Sequence, residues 1–164
     1  MTTQYFCSNE NRRDAVRFTK GTNGLPLLNG IDYLEVSDDQ STVEVHFIHP
    51  LPGELNGVPS APALTEQNFI IDGGVRVIDV KIVPPLTTAD NAVKLIVNTP
   101  GDYSTYILRL VANADSDLPP DGFDQQLAAI PFSFKVECPS DFDCKVGDDC
   151  PPENLPAPLI DYLA

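Results

Sequence analysis

Alternation of apolar and polar positions predicts β-strands along most of the chain. Between residues 42 and 48, Val43, Val45 and Phe47 alternate with polar side chains, so that one face of a strand there would be apolar. The same period of two recurs in three later segments, which are 92–98, 103–112 and 130–136. Because successive strand residues point to opposite sides of a sheet, each segment fits a strand with one buried face. The pattern therefore predicts a mainly β protein.

Turn-forming residues separate these segments and suggest how the strands connect. Asp72-Gly-Gly74 lies between the apolar runs 68–71 and 75–83, and predicts a hairpin of those two runs. Thr99-Pro-Gly-Asp102 marks another turn. About seven short strands with turns between them fit an immunoglobulin-like antiparallel β-sandwich better than a barrel. The absence of alternating strands and long helices argues against a parallel α/β sheet.

The two ends of the chain differ in character from its middle. Residues 1–24 form a predicted N-terminal arm with a short helix over 8–20, capped by Ser8 or Asn9. The weak apolar face of this helix consists of Ala15, Val16 and Phe18. Residues 25–137 would be the β-sandwich domain, and 138–164 a Cys- and Pro-rich tail. The last residues of the tail have helical spacing, which predicts that this chain is the front piece of a longer protein leading into further domains.

Charge and composition exclude several kinds of partner. The 164 residues include 10 Lys and Arg against 24 Asp and Glu, a formal net charge of −14. Phosphate binding depends on clustered basic residues, so we expect no nucleic-acid partner and no attraction to an anionic membrane. The N-terminus lacks the pattern of a signal peptide, and every apolar run is too short to cross a bilayer. We therefore expect a chain that is cytoplasmic at synthesis and has no direct membrane insertion.

Few residues suit catalysis, and we expect no enzyme activity. The two histidines, His46 and His49, flank the end of one predicted strand and are expected to face solvent. Neither is accompanied by a GxSxG-type nucleophile elbow. The acidic, proline-containing residues 115–124 could form a calcium site from several carboxylates, but their spacing differs from that of an EF-hand and two prolines interrupt it. Those carboxylates are Asp115, Asp117, Asp121 and Asp124.

The four cysteines are the most informative chemistry in the sequence. Cys138, Cys144 and Cys150 follow a C-x5-C-x5-C pattern, and Cys7 lies far upstream. Together they could form a tetrahedral structural zinc site that clips the arm to the tail. The spacing lacks a CxxC knuckle, so four free thiols are an equal alternative, and two disulfides are disfavoured in a reducing cytosol. Any role of these cysteines would be structural.

Several phrases of the sequence, in order from end to end, resemble one family. They are Tyr5-Phe-Cys7, Arg12-Arg-Asp-Ala-Val-Arg17, residues 28–36, 100–111 and 119–129, and above all 132–144 with Cys150-Pro-Pro-Glu153 and 160–164. They are similar to the N-terminal region of the baseplate assembly proteins of phage-tail-like extracellular contractile injection systems. Full-length members resemble the J-type wedge proteins of contractile phage tails.

The resemblance implies a structural baseplate (wedge) component. Copies would surround the central spike or hub, contact other wedge subunits and sheath proteins, and support sheath attachment and contraction triggering. The particle would be either released or membrane-anchored. The resemblance implies no catalytic residues.

The alternative is an extracellular β-sandwich binding module for a carbohydrate or cell-surface ligand. The chain has no Trp to line a sugar groove, and its other aromatics fall mostly at core positions.

Overall fold

The computed structural model describes residues 3–7 and 9–135. Within them the chain forms one α-helix and eight β-strands, and the strands form two antiparallel sheets. The elements are β1 Thr3–Phe6, α1 Glu10–Phe18, β2 Ile31–Val36, β3 Thr42–Phe47, β4 Phe69–Gly73, β5 Ile82–Ala89, β6 Ala92–Val97, β7 Tyr106–Leu110 and β8 Ala129–Phe132, with a 3-10 turn Glu66–Asn68 before β4. No helix of the described residues is long and apolar enough to span a membrane.

The two sheets divide the strands into five and three. The larger sheet has the order β1-β2-β3-β6-β5, and the smaller has the order β4-β7-β8. The predicted mainly β class is confirmed, while the immunoglobulin-like detail stays a prediction. β1 was not predicted: it pairs with β2, with Tyr5 opposite Leu34, so the N-terminal segment adds an edge strand to the larger sheet.

The core lies between the two sheets and follows the predicted alternation. Val43, Val45 and Phe47 of β3 are fully buried, as are Leu108 and Leu110 of β7. Burying each such side chain stabilises the fold by about 1.5–3 kcal/mol relative to leaving it exposed. The rings of Tyr5 in β1 and Phe132 in β8 meet edge to face, with centroids 6.3 Å apart. The strand faces predicted from the period of two are therefore the ones that join the sheets.

The hairpin predicted around Gly73-Gly74 is wrong. β4 and β5 lie in different sheets, since β4 pairs with β7 and β5 pairs with β6. β5 also begins later than predicted and contains Pro84 and Pro85, where its register against β6 shifts. Proline lacks the N–H that a central strand needs, but an edge strand tolerates it, and β5 is an edge.

Helix α1 is shorter than predicted and less buried. Asn9 is its N-cap, and the Asn9 side-chain oxygen accepts a hydrogen bond from the Arg12 N–H at 3.0 Å. This satisfies one of the free N–H groups of the first turn. Of the predicted apolar face only Val16 is buried, whereas Ala15 is exposed and Phe18 is 71 % exposed. The helix is held to the sandwich by its arginines as well as by Val16.

Candidate interaction surface

The carboxylate of Asp102 organises the segment that follows β4. Its Oδ2 accepts hydrogen bonds from the backbone N–H groups of Val75, Arg76 and Val77 at 3.2, 2.5 and 3.0 Å. These donors would pair with a neighbouring strand if the segment continued as the predicted hairpin. Bound to one carboxylate they instead curve around it, which is the physical reason that the hairpin does not form.

Further hydrogen bonds fix Asp102 in place. The Tyr106 hydroxyl accepts from the Asp102 N–H at 2.9 Å and donates to the Val77 carbonyl at 2.6 Å. Ser104 donates to Asp102 Oδ1 through its hydroxyl and, at 2.8 Å, through its N–H. The Ser104 hydroxyl and these backbone donors hold the pKa of Asp102 well below its ordinary value. Asp102 is therefore an ionised structural anchor, with its acceptor capacity already used.

Beside this anchor lies a hollow of about 490 Å³. Val75, Arg76, Tyr103 and Lys135 line it together with the anchor itself. Val75 is 77 % exposed and Tyr103 41 % exposed. The Lys135 Nζ lies 5.6 Å from the centre of the Tyr103 ring, within the range of a cation–π contact. The hollow thus presents exposed apolar surface and two cationic side chains. We call it the Arg76–Lys135 hollow.

The cations of this hollow differ from most others in the protein. Nine of the ten Lys and Arg fall within the described residues, the tenth being Lys145. Six of the nine lie within 4.0 Å of a carboxylate: Arg12, Arg13, Arg17, Lys81, Lys94 and Arg109. Among described residues, no carboxylate lies within that distance of the Lys20, Arg76 or Lys135 side chain. Two of these three line one hollow, and against the single ionised carboxylate of Asp102 they leave it with one net positive charge in an acidic chain.

The four carboxylates considered for calcium are not brought together. Asp124 is 2 % exposed and pairs with Arg12 of α1, whose Nε donates to it at 2.8 Å. Asp117 is 97 % exposed, with one oxygen 3.4 Å from Arg109. No group of three or more His, Cys, Asp or Glu side chains suited to a metal occurs within 3–7 and 9–135. The other three aspartates, Asp115, Asp117 and Asp121, are exposed. They lie in residues 115–121, which we call the acidic loop.

The two sheets described above lie in a region that matches a known protein family. A family described as phage baseplate assembly protein, N-terminal domain, matches residues 1–132. The chain belongs to this family. The matched region ends with β8 and so contains every strand described above. The resemblance to baseplate assembly proteins is confirmed, and the role of this domain is that of a structural part of a phage baseplate, in contact with other baseplate components. No curated protein and no solved structure gives a match.

The histidines of this baseplate domain do not face solvent as predicted. The His46 ring stacks on Tyr33, with centroids 4.3 Å apart, and its Nε2 lies 3.3 Å from Glu44. His49 places Nε2 3.0 Å from the Val16 carbonyl oxygen of α1. Both side chains are half-buried, because strand β3 is flanked on both edges and helix α1 packs over its end. Their observed contacts are those of packing residues.

Cys7 is the only cysteine within the described residues, and it is buried in the core. Burial is the main cause that raises the pKa of its thiol to about 11. Cys138, Cys144 and Cys150 lie outside the described residues, so the zinc site formed with Cys7 stays a prediction. A bound zinc would have to overcome this burial and deprotonate the thiol.

We predict that the Cys7 thiol reacts slowly in the folded protein. With Cys138, Cys144 and Cys150 replaced by Ser, a thiol reagent at pH 8 should label Cys7 only after denaturant is added, because the thiolate is both shielded and scarce. Rapid labelling without denaturant would contradict the buried placement.

In the unaltered chain, purified without chelator, about one zinc per chain and thiols that become reactive on zinc release would support the four-cysteine site.

We also predict that Asp102 makes stability depend on pH. A carboxyl whose pKa is lowered by folding stabilises the protein above its unfolded pKa of about 4, and this contribution is lost as pH falls further. Asp102→Asn should therefore be destabilised at pH 7, and its difference from the unaltered chain should narrow below about pH 4. Urea denaturation across this pH range checks it, with the exposed Asp121→Asn as control. A difference that stays constant to low pH would contradict the assignment.

Sequence reasoning reached only part of this surface. Asp102 was recognised as the last residue of a turn signal, and the acidic loop was recognised by composition. Nothing in the sequence singles out Arg76 and Lys135, because their neighbours along the chain do not show which cations have carboxylate partners among the described residues. That property appears only once every strand has its place.

Proposed function

We propose that this domain is a non-catalytic wedge component of a contractile injection system. In this proposal it assembles in many copies around the spike, contacts sheath and neighbouring wedge proteins, and supports sheath attachment and contraction triggering. The observation that carries the proposal is the family match over residues 1–132. Assembly in the cytoplasm, followed by release or membrane anchoring of the particle, belongs to the same proposal.

Exposed apolar side chains on the outer faces of both sheets support a role in assembly. On the larger sheet, Phe6, Val83 and Ile96 are 54, 39 and 44 % exposed, and on the smaller sheet Ile107 is 42 % exposed. Such residues leave water when a protein partner covers them, which is a main source of binding free energy. The edge strands β1, β5, β4 and β8 offer further contact sites for extended segments of partners.

The engagement of the polar residues supports a non-catalytic role. Asp102 and Asp124 are buried and bind backbone N–H groups. His49 contacts a backbone carbonyl, and His46 is stacked on a tyrosine. A general base needs a free nitrogen or oxygen within hydrogen-bond reach of its substrate. Asp102, Asp124 and His49 are instead occupied by hydrogen bonds that hold the fold. His46 Nε2 makes no hydrogen bond to a described residue, but it is shielded from solvent and so out of reach of a substrate.

Sedimentation of assembled particles tests the proposal. The full-length gene product, tagged in its host, should pellet with sheath and tube proteins at a fixed ratio to the spike. Chemical cross-linking of those particles should then join it to sheath or wedge neighbours, which distinguishes a wedge from another baseplate part. If particles pellet without the tagged protein, the baseplate role fails. If it pellets but cross-links to neither sheath nor wedge proteins, the wedge assignment fails and the baseplate role stands.

A further inference from the structure

We propose that this domain binds a second copy of itself head to tail. The Arg76–Lys135 hollow of one copy would receive the acidic loop of the next. The inference rests on the distribution of charge and apolar surface over the described residues and does not require the wedge role. It names a partner for a surface whose cations have no carboxylate of their own among those residues.

The acidic loop has the chemistry that the hollow would recognise. Asp115, Asp117 and Asp121 are exposed, and Leu118 between them is 56 % exposed. The hollow offers the opposite character, with two cations around the exposed Val75 and Tyr103. Carboxylates would pair with Arg76 and Lys135 while Leu118 covers apolar surface. Charge complementarity of this kind selects the partner and its orientation more than it adds affinity.

The loop is held in one shape before binding. The Ala112 N–H donates to the Leu118 carbonyl at 2.8 Å, and the Leu118 N–H donates to the Ser116 hydroxyl at 3.1 Å. The Asp115 N–H donates to the Asn113 side chain at 3.0 Å. A loop already ordered in this way loses less conformational entropy when it binds, so a small contact can suffice.

The fold keeps the loop of a copy away from its own hollow. Gly73 and Phe132 pair with Tyr106 at the start of β7, so the hollow flanks that end of the strand. The acidic loop follows Leu110, at the other end. Five strand residues span about 17 Å. The contact must therefore be between molecules, and because it joins two different surfaces it generates a closed ring or a filament.

The net charge of −14 opposes self-association, but this overall repulsion acts over a longer range than the ion pairs between the loop and the hollow. At physiological ionic strength the Debye length is about 8 Å, so repulsion between distant acidic groups is largely screened. Ion pairs that form in direct contact are screened less. We therefore expect association at moderate salt, weakening at high salt as the contacts themselves are screened.

Two charge-reversed variants of the full chain test the proposal by sedimentation velocity. The hollow variant carries Arg76→Glu with Lys135→Glu, and the loop variant carries Asp115→Lys with Asp117→Lys. Each alone should associate about tenfold or more weakly than the unaltered chain. A mixture of the two should associate again, at least to a dimer of one copy each, because each copy keeps one intact surface and the two reversed surfaces are opposite in charge. Lys20→Glu, which reverses a cation outside the hollow that has no carboxylate within 4.0 Å among the described residues, should associate like the unaltered chain.

The milder pair Arg76→Gln with Lys135→Gln gives a second measurement if charge reversal prevents folding, and it should also weaken association. An unaltered chain that stays monomeric at high concentration overturns the proposal, as do variants that associate normally or a mixture that forms no dimer. A protein that pellets with particles but is monomeric when isolated would overturn this contact and leave the baseplate role intact.

Discussion

Replacing Asn29 by Ala is expected to lower the free energy of unfolding by about 3–4 kcal/mol. The Asn29 side chain is fully buried. Its Nδ2 donates to the carbonyls of His49 and Val58, both at 2.9 Å, and its Oδ1 accepts from the N–H groups of Gly30 and His49, both at 2.9 Å. Alanine would leave these backbone groups without hydrogen-bond partners inside the protein. The desolvation of each group would then be uncompensated, which destabilises the folded state.

Urea denaturation of the full chain measures this effect. Asn98→Ala is the matched control, because Asn98 is exposed and its side-chain oxygen also accepts a backbone hydrogen bond, from the Lys81 N–H at 2.8 Å. Water can replace that bond, so we expect less than about 1 kcal/mol there. Asn29→Asp should be at least as harmful as Asn29→Ala, since it removes both donors and buries a charge. Equal, small effects at both positions would contradict the role given to Asn29.

Asn29 also shows which part of the fold the sequence could predict. The strands with clean alternation, such as β3, β6 and β7, were found because their buried faces follow the chain with a period of two. Asn29 lies between a loop and β2, and its partners are 20 and 29 residues away. A local pattern carries no information about such contacts, so it gave no reason to single out this residue.

The missed strands have physical explanations of the same kind. β5 contains two adjacent prolines, which argue against a strand unless its position at an edge is already known. β1 has four residues and gains its stability from pairing with β2, which no signal in its own sequence reveals. The false hairpin had a correct Gly-Gly turn signal, but the distant carboxylate of Asp102 bound the donors of the second strand.

Only the negatively charged half of the candidate surface was predictable from the sequence. The acidic loop is evident from composition, because Asp and Pro are concentrated in a few residues. The four aspartates of residues 115–124 nevertheless separate into the exposed three of the acidic loop and the buried Asp124, and this division depends on Arg12, 112 residues away. The positive half of the surface depends on which cations have no carboxylate nearby among residues 3–7 and 9–135. Charge counts along the chain therefore underestimate how differently the two ends of β7 are charged.

Asp124→Ala is expected to lower the free energy of unfolding by about 3 kcal/mol. Asp124 is nearly fully buried, and its Oδ1 accepts from the N–H groups of Gln126 at 2.9 Å and Leu127 at 3.2 Å. Its Oδ2 binds Arg12, which ties helix α1 to the loop before β8. Alanine would remove both sets of bonds, and it would leave the Leu127 N–H unpaired in a fully buried position.

Pairing this variant with Arg12→Ala in a double-mutant cycle separates the two contributions. Arg12→Ala leaves a buried carboxylate without its counter-charge, so it should be clearly destabilised although Arg12 itself is 38 % exposed. The double variant should then be no less stable than Asp124→Ala alone, because the uncompensated charge is gone. Urea denaturation provides all the values, with the exposed Asp121→Ala as control. Strictly additive losses would mean that the two side chains act independently, and that α1 is held to the sandwich by Val16 and its other arginines instead.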